Sequence, residues 1–140
     1  MIYVDTSVLV ALLTVEPMTP SVKRWYAAAS QRLASADWCL TEFASAIALK
    51  TRTGQLSKEQ AVGVTKLFDS LVADGLRLLP VSRAAFREAA FWVSDYQSGL
   101  RAGDALHLAV AREVAVNRMA TLDRRMAANA IRLGFAVESF

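Results

Sequence analysis

Residues 2–13 read IYVDTSVLVALL: a β-prone run, an aspartate, then an almost unbroken apolar stretch. Ile2-Tyr3-Val4 has the composition of a short strand, and residues 6–14 read as a helix buried on most sides. Asp5 therefore falls at the carboxyl end of a strand, just ahead of a buried helix. Ligands of open parallel sheets gather at that edge. Asp5-Thr6-Ser7 is equally a good helix start, with Asp5 as the N-cap. The two roles are compatible, because a cap uses one carboxylate oxygen and leaves the other free.

Outward from this stretch, strand-like and helix-like segments alternate. Thr19 before Pro20 has the form of an N-cap followed by proline at the first helical position, opening a helix to about Arg32. RLAS (32–35) is a weak second strand. Residues 37–53 are helical and stopped by Gly54. Ser57-Lys58-Glu59-Gln60 forms a capping box for a helix ended by Gly75. LRLLPV (76–81) is a third strand. Residues 82–97 are helical, with Ala85, Ala89, Trp92 and Val93 on one face. Residues 104–114 form a helix apolar on several sides. RMATL (118–122) is a fourth strand, residues 124–133 a last helix ended by Gly134, and FAVESF (135–140) an edge strand. This alternation predicts an α/β fold with a mainly parallel sheet in one domain, residues 1–140.

Composition narrows the class. Of the 140 residues 54% are hydrophobic and 21% charged, which excludes a disordered chain and leaves apolar surface for a partner or second copy to cover. The apolar run at the start is broken by Asp5 and too short for a bilayer, and it lacks the basic leader and cleavage site of a signal peptide. The single cysteine, Cys39, rules out an internal disulfide. A cytoplasmic protein is the expectation, with Cys39 a buried thiol. A net charge of +3 permits a polyanionic ligand without establishing one.

Among thirteen acidic residues, four stand where an acid is unexpected. Asp5 is the first. Asp123 also follows a strand, and caps the last helix on the simpler reading. Glu42 lies inside a helix on the face of Trp38, Ala46 and Leu49, so it is either bonded there or reaches to water from the margin of the stripe. Asp104 opens the most apolar helix, where the helix N-terminus alone would favour it. Each has its own separate explanation, yet one bound cation explains all four. Gathered carboxylates repel one another, and a hard divalent ion such as Mg²⁺ or Mn²⁺ reverses that cost.

The motifs IYVDTSVLVALL (2–13), TEFASAI (41–47), GDALHLAVA (103–111) and ATLDRR (120–125) together resemble the PIN domain, most closely the VapC-type toxins of toxin–antitoxin pairs. The likeness runs over essentially the whole chain, in order and spacing. Asp5, Glu42, Asp104 and Asp123 match the family's acidic positions one for one. The resemblance implies a three-layer α/β/α sandwich, a homodimer, and RNA cleavage leaving a 5′-phosphate and a 3′-hydroxyl. It also implies a small antitoxin that occupies the active-site groove and joins the toxin in a gene-regulatory complex.

On that reading the acids hold one or two Mg²⁺ or Mn²⁺ ions. Asp5 and Asp104 bind the principal one, Glu42 completes its shell or orients water, and Asp123 binds a second ion or tunes the first. Ser7 and Thr121 could orient the aspartates by hydrogen bonds; capping and strand packing are their simpler roles. Arg101 and Arg124 flank two of the acids and could meet substrate phosphates, or be solvated charges. His107, the only histidine, is conceivable as a base but reads better as a packed, hydrogen-bonded side chain. Trp25, Trp38 and Trp92 could stack bases, although each sits in a helical apolar pattern. Two rivals stay open: a Mg-binding phosphoacceptor signalling domain, for which acids beside Asp5 or a lysine after a late strand are wanting, and a non-catalytic interaction module.

Overall fold

In the computed structural model, which describes residues 1–140, five strands form one sheet in the order β3-β2-β1-β4-β5. They are β1 (Ile2–Val4), β2 (Leu33–Ala36), β3 (Leu76–Leu79), β4 (Arg118–Ala120) and β5 (Ala136–Val137). Every pairing is parallel. Seven helices connect them: α1 (Thr6–Leu13), α2 (Thr19–Ala28), α3 (Trp38–Arg52), α4 (Lys58–Asp74), α5 (Arg83–Val93), α6 (Ala102–Glu113) and α7 (Arg124–Arg132).

The strand period of two sorts side chains into two cores. Ile2 and Val4 face a layer with Val8, Leu9, Val22, Phe43, Ile47, Val64 and Phe68, from α1 to α4. Tyr3, between them, faces the opposite layer with Ala89, Trp92, Leu108, Met119 and Met126, from α5 to β4 and α7. The result is an α/β/α sandwich with β1 at the centre. The chain winds from β1 towards β3, then restarts beyond β1 at β4. The carboxyl ends of β1 and β4 therefore flank the topological switch point, where crevices form in such sheets. No helix is long and apolar enough to cross a membrane.

Several boundaries differ from the sequence reading. Thr19 lies inside α2, and Met18 is the N-cap. The Thr19 hydroxyl is used elsewhere: it accepts from the Glu16 N–H and donates to the Ala11 and Thr14 carbonyls, which closes the open end of α1. α2 stops at Ala28, not near Arg32, because Ala29 turns to extended backbone on the way to β2. α5 stops at Val93, and a 3₁₀ turn follows at Tyr96–Ser98 with Asp95 accepting from the Gln97 N–H. Gly99, at φ +61°, then reverses the chain in a conformation that costs glycine little. β4 ends at Ala120, so Thr121 and Leu122 form the link to Asp123 instead of continuing the strand.

Candidate metal centre at the carboxyl edge of the sheet

Asp5 leaves β1 in extended conformation and caps α1. Its Oδ1 accepts from the Ser7 backbone N–H (2.6 Å), the Ser7 hydroxyl (2.5 Å) and the Val8 N–H (3.3 Å). Its Oδ2 accepts from the Thr121 hydroxyl. The side chain is buried, and burial pushes the carboxyl above the ordinary carboxylate range even though these bonds pull it down. Ser7 and Thr121 thus both orient Asp5. Ser7 also accepts from the Leu122 N–H at 2.9 Å, and Thr121 from the Asp123 N–H at 3.1 Å, which ties the β1 edge to the β4 edge.

Asp123 caps α7, its Oδ1 accepting from the Arg125 and Met126 N–H groups at 2.8 and 2.9 Å. Its Oδ2 lies 3.9 Å from the Arg101 guanidinium, which is mostly exposed. Capping thus uses only Oδ1 of Asp123, whereas at Asp5 the oxygen not used in capping is taken by Thr121.

Asp104 is the third residue of α6. Its Oδ2 is buried and has no hydrogen-bond partner. Burial, then the charges of Asp123, Asp5 and Glu42, push its carboxyl up to about 6, with Arg101 pulling the other way. Asp104 is the point at which the fields of the other three acids meet.

Glu42 comes from the opposite layer. The buried seam of α3 is Cys39, Phe43 and Ile47, so Glu42 rides at its margin, half-buried, rather than on the centre of the stripe. It is nonetheless firmly bonded. Glu42 Oε2 accepts from the Thr6 hydroxyl at 2.5 Å and lies 2.6 Å from His107 Nε2. Burial alone would raise its carboxyl; the bonds from His107 and Thr6, with Trp38 beside them, outweigh that and hold it below its ordinary value. A β-carbon on Gly103 would stand 2.7 Å from Glu42 Oε1 and 3.1 Å from the Trp38 indole nitrogen, so any larger residue there would push this carboxylate aside.

Thr6, Ser7, Glu42 and Asp123 line a cleft of about 520 Å³ together with Lys50 and Gln55. Of the four acids only Glu42 and Asp123 line it, while Asp5 and Asp104 do not; a larger hollow of about 680 Å³, lined by Phe43, Ile47 and Phe68, contains none of them. Arg124 is exposed. Trp25 donates to Glu138, and Trp92 lies under the Arg112 guanidinium, so neither presents a ring to the acids. Trp38 adjoins Glu42, but its indole nitrogen is buried without a partner. Sequence reasoning passed over Tyr3, Thr6 and Gly103. Thr6 and Gly103 are direct neighbours of Asp5 and Asp104, which was the available signal; Tyr3 carried none.

The donor set is all carboxylate and hydroxyl oxygen with one histidine, which suits a hard divalent cation. The unpartnered Asp104 oxygen is the place where such an ion fits. No three His, Cys, Asp or Glu side chains stand close enough together to clasp one ion. An ion here would therefore touch at most two of them directly. Mg²⁺, which keeps several of its waters, is commonly bound in that way.

A family model for the PIN domain matches residues 2–131. No curated protein sequence matches the chain. Among solved structures, the fold is similar to Mycobacterium tuberculosis VapC20, described as a sarcin-ricin loop cleaving toxin, with 21% identity over 92% of this chain and 95% of that one and a TM-score of 0.75. FitAcB from Neisseria gonorrhoeae is 20% identical over 99% of this chain and 97% of that one, with a TM-score of 0.72. VapBC2 from Rickettsia felis, bound to a DNA fragment from their promoter, is 18% identical over 99% and 98%, with a TM-score of 0.65. The match over nearly the whole length, on a parallel sheet with acids at its switch point, makes this chain a member of the PIN-domain family.

Proposed function

We propose that this chain is a divalent-metal-dependent endoribonuclease, the toxin of a toxin–antitoxin pair. It is a single domain over residues 1–140 that works in the cytoplasm as a homodimer and is restrained by a cognate antitoxin. The observation that carries the proposal is Asp104: a buried, unpartnered carboxylate oxygen within the field of three further carboxylates. Such a cluster is unfavourable without a cation. The similar structures include a sarcin-ricin loop cleaving toxin and a member of the VapBC family of toxin-antitoxin systems, which supports this choice of reaction and partner.

Asp5 and Asp104 would hold the principal Mg²⁺ or Mn²⁺, directly or through water. Glu42 completes the surroundings of the ion or orients the attacking water, and Asp123 tunes the site or takes a second ion. A bound divalent ion supplies Lewis acidity, acidifying water and offsetting charge on the scissile phosphate. The protein's own part is positioning. Ser7 and Thr121 fix Asp5, and Thr6 and His107 fix Glu42. Arg101 and Arg124, both exposed and each close in sequence to one of the acids, would neutralise flanking phosphates. Asp5 receives donors on both oxygens, which suits a fixed ligand better than a phosphoryl-accepting nucleophile.

RNA cleavage by the purified chain, in EDTA and after Mg²⁺ is restored, tests this reading. Cleavage that stops in chelator and returns with the metal supports it. Undiminished cleavage in chelator, or no cleavage of any RNA with Mg²⁺ present, refutes it.

A further inference from the structure

We infer that Tyr3 and His107 are positioning residues that lock the Glu42 carboxylate by one oxygen and leave the other for the metal centre, an inference that rests on the reading just proposed. Tyr3 and His107 lie in the core on the α6 side of the sheet and are almost completely buried. Neither touches the cleft. A tyrosine and a histidine at such depth must have their polar atoms satisfied, and here the way they are satisfied has a direction.

The Tyr3 hydroxyl accepts from the Ala36 N–H at 2.9 Å, at the end of β2. Its oxygen also lies 2.7 Å from His107 Nδ1. With the phenolic oxygen already accepting from the backbone, its own proton is available to Nδ1, which then acts as an acceptor. The ring nitrogen left to donate is Nε2, and it stands 2.6 Å from Glu42 Oε2. The rings meet edge to face, with centroids 5.6 Å apart at 72°, so packing as well as bonding holds the imidazole plane. A chain of bonds therefore runs from the backbone of β2, through the centre of β1 and across α6, to a carboxylate on α3.

The effect falls on one oxygen. Oε2 takes both the His107 and the Thr6 donors. Oε1 takes neither donor and is left on the side of Gly103 and the Trp38 indole. A glutamate at the margin of a helix has three torsions to spend, and an unheld one would sample several rotamers. His107 stands three residues after Asp104 on α6, so the turn that presents Asp104 also presents the group that fixes Glu42. Hydrogen bonds of this kind to a metal-binding side chain are commonly worth 10–100-fold in metal affinity or activity.

Calorimetric titration of Mn²⁺ into the full-length protein, alongside RNA-cleavage kinetics, tests the inference. His107→Leu should weaken Mn²⁺ binding by roughly 10–100-fold and lower kcat with little change in KM. His107→Gln, whose amide nitrogen can still donate to Glu42, should recover most of both. Tyr3→Phe should fall between the two, and with His107→Gln it carries the test should the leucine variant fail to fold. Equal Mn²⁺ affinity in wild type and His107→Leu would overturn the inference while leaving the metal-dependent nuclease standing. A glutamine variant as impaired as the leucine one would also overturn it, by showing that ring packing rather than donation matters. Wild-type protein that binds no Mn²⁺ would instead sink the proposed function itself.

Discussion

Thr121 and Asp5, 116 positions apart in the chain, share a buried hydrogen bond in which the Thr121 hydroxyl donates to Asp5 Oδ2. The same hydroxyl accepts from the Asp123 N–H, so one small side chain couples two acids on adjacent strand ends. Thr121→Val keeps the shape and removes the hydroxyl. It should cost about 1–3 kcal/mol of stability, because Asp5 and the Asp123 N–H each lose a partner. RNA cleavage should fall about 10–100-fold. Chemical denaturation and a cleavage assay on the same sample check both, and wild-type activity would remove Thr121 from the site.

Asp104 makes stability depend on pH in a defined direction. Its carboxyl titrates at about 6 in the folded protein, against about 4 when unfolded. Between these values the folded state holds a proton that the unfolded state has released, so stability falls as pH rises through that window and the penalty is complete above 6. Asp104→Asn removes the penalty. In metal-free buffer its Tm should exceed wild type at pH 7.5 and converge with it near pH 4. A variant less stable than wild type at pH 7.5 would contradict this.

Much of the architecture was legible because it is written in periodicity. The β-prone run Ile2-Tyr3-Val4 and the aspartate after it placed the first strand and its carboxyl end. What escaped depends on contacts distant in sequence. The Thr19 hydroxyl has the spacing of a cap, but the carbonyls of α1 claim it. Helical spacing leaves Glu42 either on the apolar stripe or at its margin, and the buried seam through Phe43 puts it at the margin. Tyr3 reads as an ordinary strand residue, since its partner His107 lies 104 positions away. Which acids face one another is likewise a tertiary fact.

Gly103→Ala separates helix propensity from site geometry. Alanine within a helix is ordinarily favourable by roughly 0.5–1 kcal/mol over glycine. Here its β-carbon would meet Glu42 Oε1 at 2.7 Å. The variant should fold, with α6 intact by circular dichroism, and cleave RNA poorly. Full activity would show that the Glu42 carboxylate need not stay where it lies.

Cys39 should be inert in the native state. Burial pushes its thiol up to about 11, and thiolate is the reactive form. Iodoacetamide at pH 8 should label it only after unfolding. Rapid native labelling would mean that α3 opens locally.

The central claim is that Asp5, Glu42, Asp104 and Asp123 surround a common divalent ion. A crystal of the protein soaked in Mn²⁺ and measured for anomalous scattering tests it most directly. The expected result is a peak against Asp104 Oδ2, with Asp5 or its bound water as a neighbour and Glu42 and Asp123 around it. A saturated crystal with no peak among these four carboxylates would contradict the account.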